Sequence, residues 1–441
     1  MHTSTILKRT FALITGCLLF AQISSAQFVT IPDSNFVSWL HNSSYASCMN
    51  GNQMDTTCTA LVTDTFFDIH FSWIHDITGV QYLKNVTYMD CDEAQLTYIQ
   101  AFPPALREFH CFVNHLTGLP PFPATVTALY CSHNQLTSLP ALPAGLTYLD
   151  VSSNYHMTAL PALPASLTHL DCKYDQIPGA MPALPASLVY LDCSLNRFTS
   201  LPALPFSLQF LFCYYDSLSS LPTLPTSLLD LECEYNQLTA LPSIPASLNT
   251  LACDYNKLTV LPFMPNSVTY LSCGYNDIAT IPNLPDSMDL FYCRHNLHLT
   301  CLPQLGKIGS LNFDSTAITC LGNYPVPDSN TISNSSPPLS SVSLCTAGNA
   351  NGCAVFTGVR DIKTISSLAI YPNPVNDVLT ISGATGAPIQ IAIYSVQGQC
   401  VRTITTESQT TEIKTSGLAP GMYVLRLSAH GGVVNRSFVK E

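Results

Sequence analysis

Residues 228–247 read LLDLECEYNQLTALPSIPAS, and residues 248–267 read LNTLACDYNKLTVLPFMPNS. The two stretches share four leucines, one cysteine, one asparagine and two prolines at the same positions. The pattern extends over about twelve copies at intervals of 20 or 21 residues, and its central position is occupied by Cys91, Cys111, Cys131, Val151, Cys172, Cys193, Cys213, Cys233, Cys253, Cys273, Cys293 and Phe313. A fixed period of this length predicts a solenoid of stacked coils.

The residues around the central position alternate as in a β-strand. In one copy Leu129 and Cys131 flank Tyr130. Because successive side chains of a strand point to opposite faces, Leu129 and Cys131 are predicted to point inward and Tyr130 outward. Each copy therefore adds one strand to a parallel sheet.

The other half of each copy carries a Leu-Pro-x-Leu-Pro motif. Proline fixes its own φ, lacks an N–H and pushes the preceding residue toward extended geometry, so this side of the coil is predicted to be extended rather than helical.

An asparagine stands three residues after the central position in most copies: Asn114, Asn134, Asn154, Asn196, Asn236, Asn256, Asn276 and Asn296. Its side-chain amide can bond backbone groups of the neighbouring coil. Asp175 and Asp216 replace it in two copies, where they keep the acceptor and lose the donor.

These motifs resemble the leucine-rich-repeat family, and the Leu-Pro half resembles its short bacterial class. The resemblance implies a mostly β fold: a leucine-rich-repeat solenoid of about twelve coils with a parallel sheet on its concave face and an extended convex side. A degenerate copy is expected near residues 69–77, within a repeat domain at residues 69–320.

Composition limits the possible functions. The 441 residues carry 16 lysines and arginines against 28 aspartates and glutamates, a formal net charge of −12. Residues 27–361 alone carry eight basic and 24 acidic residues. This acidic charge argues against a nucleic-acid partner, and no apolar run is long enough to span a membrane.

The N-terminal segment is predicted to be a cleaved signal peptide at residues 1–26. Lys8 and Arg9 precede the apolar run 11–23, and small residues precede Gln27. The alternative interpretation is a lipobox at residues 14–17 that would lipidate Cys17.

Residues 27–68 are predicted to cap the solenoid with a short helix, because Asp33 precedes apolar residues at helical spacing. The stretch IPDSNFVSWL (31–40) resembles the start of other secreted bacterial leucine-rich proteins.

The last 80 residues differ from the repeats. Alternating stretches at 378–381, 389–394 and 423–427, separated by turn signals, predict a C-terminal antiparallel β-sandwich at residues 362–441. The segments YPNPVNDVLTISG, IYSVQGQCV and LAPGMYVLRL resemble the successive motifs of the type A C-terminal sorting domain of type IX secretion systems. The resemblance implies export by type IX secretion machinery to the surface or the medium of a Gram-negative bacterium.

Residues 321–361, rich in proline and serine, are predicted to be a flexible linker.

The ten cysteines at the central position are predicted to be free core residues, because neighbouring strands hold such side chains too far apart for disulfides. In an exported protein the candidates for disulfides lie outside this row. We expect Cys48 to pair with Cys58, Cys301 with Cys320 and Cys345 with Cys353.

Outward strand positions predict a ligand-binding site. Phe210, Phe212 and Tyr214 face outward on one strand, the next strand offers Asp230, Glu232 and Glu234, and Asp254 follows. Exposed aromatic residues and clustered carboxylates both cost stability, so a ligand is expected to use them. Aromatic character continues at Tyr88, Tyr130, Tyr148, Tyr190, Tyr270 and Tyr292.

A second aromatic column stands two residues after the central position and is predicted to pack on itself rather than to bind. It comprises His133, Tyr174, Tyr215, Tyr235, Tyr255, Tyr275 and His295. Calcium binding by Asp90, Asp92 and Glu93 is disfavoured, because acids of one short strand lack six converging oxygens.

No pattern for an enzyme is present: there is no zinc-protease motif, phosphate-binding glycine loop or nucleophile elbow. We therefore predict a non-enzymatic protein without metal or cofactor that binds an extracellular protein or glycan on its concave face. The alternative is a structural surface or adhesion component whose repeats act as a rigid spacer.

Overall fold

A computed structural model describes residues 28–325, 334–346, 353, 369–382, 389–406, 408, 410–429 and 432–441. The predicted signal peptide and the alternative lipidated Cys17 lie outside these residues. The predicted domain boundaries stay predictions, whereas the elements themselves are defined below.

An N-terminal cap precedes the repeats and contains a sheet of three short strands in the order β1-β3-β2. The Asp33 carboxylate accepts hydrogen bonds from the backbone N–H groups of Asn35 (2.8 Å) and Phe36 (2.9 Å), so it caps the predicted helix α1. Phe36 is buried and its ring packs edge-on against Phe67 of the first coil. The cap comprises β1 (Phe28–Thr30), α1 (Ser34–His41), a 3₁₀ turn (Ala46–Cys48), β2 (Met49–Asn50), β3 (Gln53–Asp55) and α2 (Thr59–Thr63).

The repeats form one parallel sheet of 14 strands, which confirms the predicted leucine-rich-repeat solenoid. Twelve strands correspond to the twelve aligned copies, the first comes from the degenerate copy, and the last lies in the predicted linker. The strands of this region are β4 (Phe66–Asp68), β5 (Tyr88–Asp90), β6 (Glu108–His110), β7 (Ala128–Tyr130), β8 (Tyr148–Asp150), β9 (His169–Asp171), β10 (Pro178–Ala180), β11 (Tyr190–Asp192), β12 (Arg197–Ser200), β13 (Phe210–Phe212), β14 (Asp230–Glu232), β15 (Thr250–Ala252), β16 (Tyr270–Ser272), β17 (Ser287–Tyr292), β18 (Lys307–Asn312), β19 (Cys320–Leu321), β20 (Asn334–Ser336) and β21 (Ser343–Leu344). β10 pairs only with β12, and β19 only with β21; all the others join the main sheet.

The convex side is extended as predicted. Residues 88–312 are all described and contain no helix, and the 3₁₀ turn Val80–Tyr82 lies before this range. Serines of the Leu-Pro half fix the stacking there. The Ser247 hydroxyl, for example, donates to the carbonyl oxygen of Leu228 in the preceding coil (2.6 Å), and Ser227 donates likewise to Leu208 (2.6 Å). These serines therefore serve as backbone links between coils.

The asparagine row links the coils on the strand side, as predicted. The Asn256 amide donates to the carbonyl oxygens of Cys233 (2.9 Å) and Cys253 (3.2 Å), and its oxygen accepts from the N–H of Leu238 (3.0 Å). One side chain therefore satisfies backbone groups of two coils that lie too deep for water.

The ten central cysteines are free and fully buried, which confirms their predicted core role. They belong to one continuous apolar core that runs from Ile31 to Leu321. Desolvation raises the pKa of the Cys233 thiol well above its usual range, so this sulfur stays protonated and unreactive.

The predicted flexible linker differs from the structure at residues 334–346. β20 pairs in parallel with β18, and β21 pairs with β19, so this segment extends the main sheet and covers the last coil. An exposed apolar coil end must be covered, and this segment supplies that cover.

The docking of residues 334–346 on the last coil explains the disulfide pairing of Cys320 with Cys345. Cys48 and Cys58 are bonded as predicted. The other two predicted pairs are wrong: the bonds join Cys301 to Cys353 and Cys320 to Cys345. The N–H of Cys345 donates to the carbonyl oxygen of Leu321 (2.8 Å), which places Cys345 beside Cys320 with their Cα atoms 5.0 Å apart. The predicted pairs kept each bond within one segment, the last coil or the linker, whereas both bonds join residues 301 and 320 of the last coil to residues 353 and 345.

The C-terminal segment forms two antiparallel sheets, β22-β23-β26 and β25-β24-β27-β28, which confirms the predicted β-sandwich. Side chains of both sheets share a separate core that includes Leu379, Ile393, Leu425 and Phe438. The strands are β22 (Ala369–Tyr371), β23 (Val378–Ser382), β24 (Ile389–Ser395), β25 (Cys400–Thr406), β26 (Thr410–Lys414), β27 (Gly421–Ala429) and β28 (Gly432–Lys440).

The 3₁₀ turn Leu339–Ser341 lies in the segment that covers the last coil. Within the described ranges, no helix combines the length and the apolar character that crossing a bilayer would need.

Candidate binding surface on the concave sheet

Burial alternates along strands β4–β8, β13 and β14 of the main sheet, and this alternation defines the concave surface. On β13, Leu211 is fully buried, whereas Phe210 and Phe212 on either side of it are only partly buried. The residues one and three positions before the central cysteine, and the residue one position after it, therefore face the concave side.

Aromatic rings form a continuous row across the concave side of β4–β11, excluding β10. Neighbouring ring centroids lie 4.1–5.1 Å apart. We call this set the concave aromatic row: Phe66, Tyr88, His110, Tyr130, Tyr148, His169 and Tyr190. Sequence reasoning named its tyrosines but missed His110 and His169, although both occupy outward strand positions that the repeat alignment identifies.

The aromatic row changes character at β13. Tyr190 lies 6.3 Å from Phe210 at an interplanar angle of 42°, and 5.5 Å from Phe212 at 51°. The preceding pair, His169 and Tyr190, stacks at 4.1 Å and 6°. The rings of β13 are therefore tilted out of the stack, and their faces are not covered by a parallel ring.

The structure brings the predicted site residues together. In the register of β13 and β14, Phe210 lies opposite Asp230 and Phe212 opposite Glu232. We call Phe210, Phe212 and Tyr214 the aromatic strand set, and Asp230, Glu232 and Glu234 the acidic strand set. All six side chains are partly buried.

The carboxyl groups of the acidic strand set are desolvated. Burial raises the pKa of Glu234 to about 7, with a further contribution from the negative charges of Glu232 and Asp254. Burial also raises the pKa of Asp230 and of Glu232. Buried oxygen atoms of Asp230 (Oδ1) and Glu234 (Oε2) have no hydrogen-bond partner.

Asp254 differs from the acidic strand set because it is held by the protein. It is buried, with 8% of its surface exposed, and its Oδ1 accepts from the N–H of Gly274 (2.9 Å). Burial raises its pKa, while this hydrogen bond, one to Ser272 and the positive charge of Arg294 act in the opposite direction. Asp254 therefore borders the site and is anchored to β16.

Another acidic pair on the same face is neutralised within the chain. The Lys173 ammonium lies 2.8 Å from an oxygen of Asp171 and 3.0 Å from one of Asp192. The ion pairs of the described residues include none with the acidic strand set. When these carboxyl groups are ionised, they therefore have no ion-pair partner among the described residues.

The second aromatic column packs on itself at five of its seven predicted members, whereas His133 packs edge-on against Phe112 and Tyr174 packs edge-on against Tyr155. Tyr215, Tyr235, Tyr255, Tyr275 and His295 stack with centroids 3.8–4.1 Å apart. Their φ angles are 52–55°, a left-handed conformation that costs non-glycine residues about 1 kcal/mol or more each. The stacking helps to offset this cost, so the column is part of the scaffold.

One group of side chains has the donor atoms of a metal site. Ligand atoms of Asp68, His70 and Asp90 lie within 4.8 Å of one another at the start of the concave face. Asp68 and His70 already contact each other, with Nδ1 2.5 Å from Oδ1, and Asp90 accepts from the N–H of Asp92 (3.0 Å). The sequence analysis weighed a different set for calcium: Asp90, Asp92 and Glu93. Of these, Asp92 accepts a hydrogen bond from the N–H of Phe112 (2.6 Å).

Comparison with known proteins identifies the two parts of the chain. Residues 369–441 match the secretion system C-terminal sorting domain. The structure of YopM from Yersinia enterocolitica WA-314 is 31% identical, with 59% of this chain and 59% of that chain covered and a TM-score of 0.50. This chain therefore spans less than two thirds of that YopM chain.

Two further solved structures are similar at lower identity. The functional domain of InlJ from Listeria monocytogenes, described as including a cysteine ladder, is 21% identical, with 94% of this chain and 99% of that one covered and a TM-score of 0.47. YopM from Yersinia pestis is 22% identical over 58% of this chain and 87% of that one, with a TM-score of 0.39. No curated protein matches the chain.

The repeat geometry and these matches agree with the two resemblances drawn from the sequence. The chain combines a leucine-rich-repeat solenoid with a C-terminal segment that matches the secretion system C-terminal sorting domain.

Proposed function

We propose that this secreted protein binds a macromolecular partner, an extracellular protein or a glycan, on the concave face of its solenoid. The observation that carries the proposal is the aromatic strand set, whose rings leave the stacked row beside a strand of desolvated carboxyl groups. Aromatic side chains at the centre of a concave surface are typical anchors of binding energy.

The size of the sheet supports this proposal. Thirteen intervals of about 4.8 Å give a concave surface on the order of 60 Å long. A stable complex buries about 800 Å² of surface on each partner, and a sheet of this length offers that area.

Catalysis would need a nucleophile or an acid–base pair in a cleft, and the proposed site is a surface. A non-enzymatic role remains a prediction.

Binding is tested with the purified full-length protein against arrays of glycans and of extracellular proteins. The triple variant Phe210→Ala, Phe212→Ala, Tyr214→Ala removes the aromatic strand set. Phe206→Ala is the matched control, because Phe206 lies in the same coil and is 87% exposed, outside the concave strand positions. Saturable binding that the triple variant loses and the control keeps supports the site.

The second candidate function is a rigid surface or adhesion spacer without one specific ligand. The stacked rings and backbone links that make the solenoid self-supporting favour it. No saturable binding by the wild-type protein on any array would favour the spacer, and equal binding by wild type and triple variant would keep a binder and remove the proposed site.

For localisation, we propose export across the inner membrane with cleavage after residue 26, followed by passage through the type IX machinery to the outer surface or the medium of a Gram-negative bacterium. Deletion of residues 369–441 is expected to leave the protein in the periplasm, as cell fractionation would show. Secretion of the truncated protein at the wild-type level would contradict this route.

A further inference from the structure

The charge on the candidate surface identifies the class of partner more narrowly. Asp230, Glu232 and Glu234 lie on one strand, and Asp254 stands beside Glu234 on the next. The only cation that acts on this group within the described residues is Arg294, which reduces the pKa of Asp254. A neutral glycan would form hydrogen bonds to these carboxylates but would leave their mutual repulsion in place.

The geometry of the carboxylates matches an extended polypeptide. The three members of the acidic strand set alternate along β14 and its exit, so they repeat about every 6.7 Å on one face of the strand. Alternate side chains of an extended peptide have the same spacing. A peptide lying along β14 would therefore place every second side chain over one carboxylate.

The neighbouring strands carry small side chains beside the acidic strand set. Ala252 and Ser272 occupy the positions in register with Glu232 and are small and buried. Tyr292 follows in the same register on β17, three strand intervals or about 14 Å from Glu232. Glu232 therefore has no large neighbour in this register before Tyr292.

Aromatic rings on the other side suit the same partner. Phe212 adjoins Glu232 across the β13–β14 pair. The aliphatic stem and the charged head of lysine or arginine pack favourably against aromatic faces, so rings beside carboxylates recognise both parts of such a side chain.

We propose, building on the concave-face binding proposed above, that the partner is a protein segment in extended conformation whose lysine or arginine side chains alternate and pair with Asp230, Glu232 and Glu234. The aromatic strand set packs against the aliphatic stems of the same lysine or arginine side chains. The binding site therefore takes a basic polypeptide and discriminates against neutral and acidic ligands.

The probes are fluorescein-labelled decapeptides added to the purified full-length protein, with fluorescence anisotropy as the readout. The first peptide alternates arginine and threonine, the second has citrulline in place of each arginine, and the third has the five arginines in one block. The protein variants are Glu232→Gln with Glu234→Gln and, as the control with the same charge change, Glu108→Gln with Asp150→Asn on other concave strands.

We expect saturable binding of the alternating arginine peptide and at least about tenfold weaker binding of the citrulline and block peptides. The Glu232→Gln, Glu234→Gln protein should lose about tenfold in affinity, and the control should lose much less because general attraction is shared over the whole acidic face. Far-UV circular dichroism of each variant verifies folding.

The proposal is overturned if the alternating peptide does not bind, binds no better than the citrulline peptide, or loses equal affinity in both variants. Equal affinity for the block peptide overturns the extended register. Array binding that depends on the aromatic strand set but not on Glu232 and Glu234 would retain the proposed function and reject the basic partner, so the two failures are distinguishable.

Discussion

Asp216 provides the sharpest test of how the coils are held together. It replaces the asparagine of the linking row and is buried, with 8% of its surface exposed. Its Oδ1 accepts from the N–H of Phe198 (3.0 Å), and its Oδ2 has no partner. In the next copy, the Asn236 amide donates to the carbonyl oxygens of Cys213 (2.7 Å) and Cys233 (3.2 Å). An ionised carboxylate at position 216 cannot donate, whereas a protonated one can.

The size of the effect follows from the pKa. Burial raises the pKa of Asp216 from its ordinary 3.8 to about 8. Because the folded pKa lies above the unfolded one, this group's contribution to stability is fully present below pH 3.8 and is lost as the pH rises toward 8. At about 1.4 kcal/mol per pKa unit the loss has a ceiling of about 6 kcal/mol, and relaxation of the site reduces it.

We expect Asp216→Asn to raise the free energy of unfolding by about 1–4 kcal/mol at pH 8 and by much less at pH 4.5, where the wild-type carboxyl group is protonated. Urea denaturation followed by circular dichroism at both pH values measures this difference. Asn236→Asp is the reverse control and should destabilise the protein mainly at pH 8. A gain from Asp216→Asn that is absent, or equal at both pH values, would refute the reasoning.

Three further predictions concern stability and reactivity. Tyr255→Ala interrupts the stacked column between rings at 4.1 and 4.0 Å and should lower the free energy of unfolding by about 1–2 kcal/mol in the same urea assay, whereas an unchanged value would mean that the stacking contributes nothing. Cys320→Ser with Cys345→Ser opens a loop of 25 residues and should cost about 3 kcal/mol, measured under non-reducing conditions; a loss that persists when the wild type is reduced would contradict the disulfide as its cause. Iodoacetamide should label Cys400 in the native protein, since it is the exposed free cysteine of the described residues, and should label the central cysteines only in denaturant; native labelling of the central row by mass spectrometry would exclude a closed core.

Periodic features could be predicted from the sequence because each copy repeats the same physical constraint. The buried cysteines, the linking asparagines and the extended Leu-Pro side all follow from position within the copy. The docking of β20 and β21 could not be predicted in this way, since residues 334–346 have no copy of the motif and their partners are set by the exposed end of the last coil. The two wrong disulfide pairs have the same cause.

The candidate site was predictable as a column of outward residues but not as a surface. Alignment places Phe210, Phe212 and the acidic strand set on neighbouring strands, and the register agrees. It does not show that the rings of His110 and His169 complete a stack, because the row passes from one outward column to another between strands. The distances between rings on neighbouring strands show which aromatic faces are covered by another ring.

That distinction bears on whether the solenoid is a binder or a spacer. A ring with parallel neighbours, such as Tyr235 or His169, already stacks against an aromatic ring on each face and offers only its edge to a ligand. Aromatic content alone is therefore weak evidence for binding in a repeat protein. Binding energy is available where a row is interrupted, as at Phe210 and Phe212, and where adjacent charges lack an internal partner. Because the tilted rings and the unbalanced carboxylates occupy adjoining strands, a single partner can satisfy both, and a scaffold selected only for rigidity gives no reason for them to coincide.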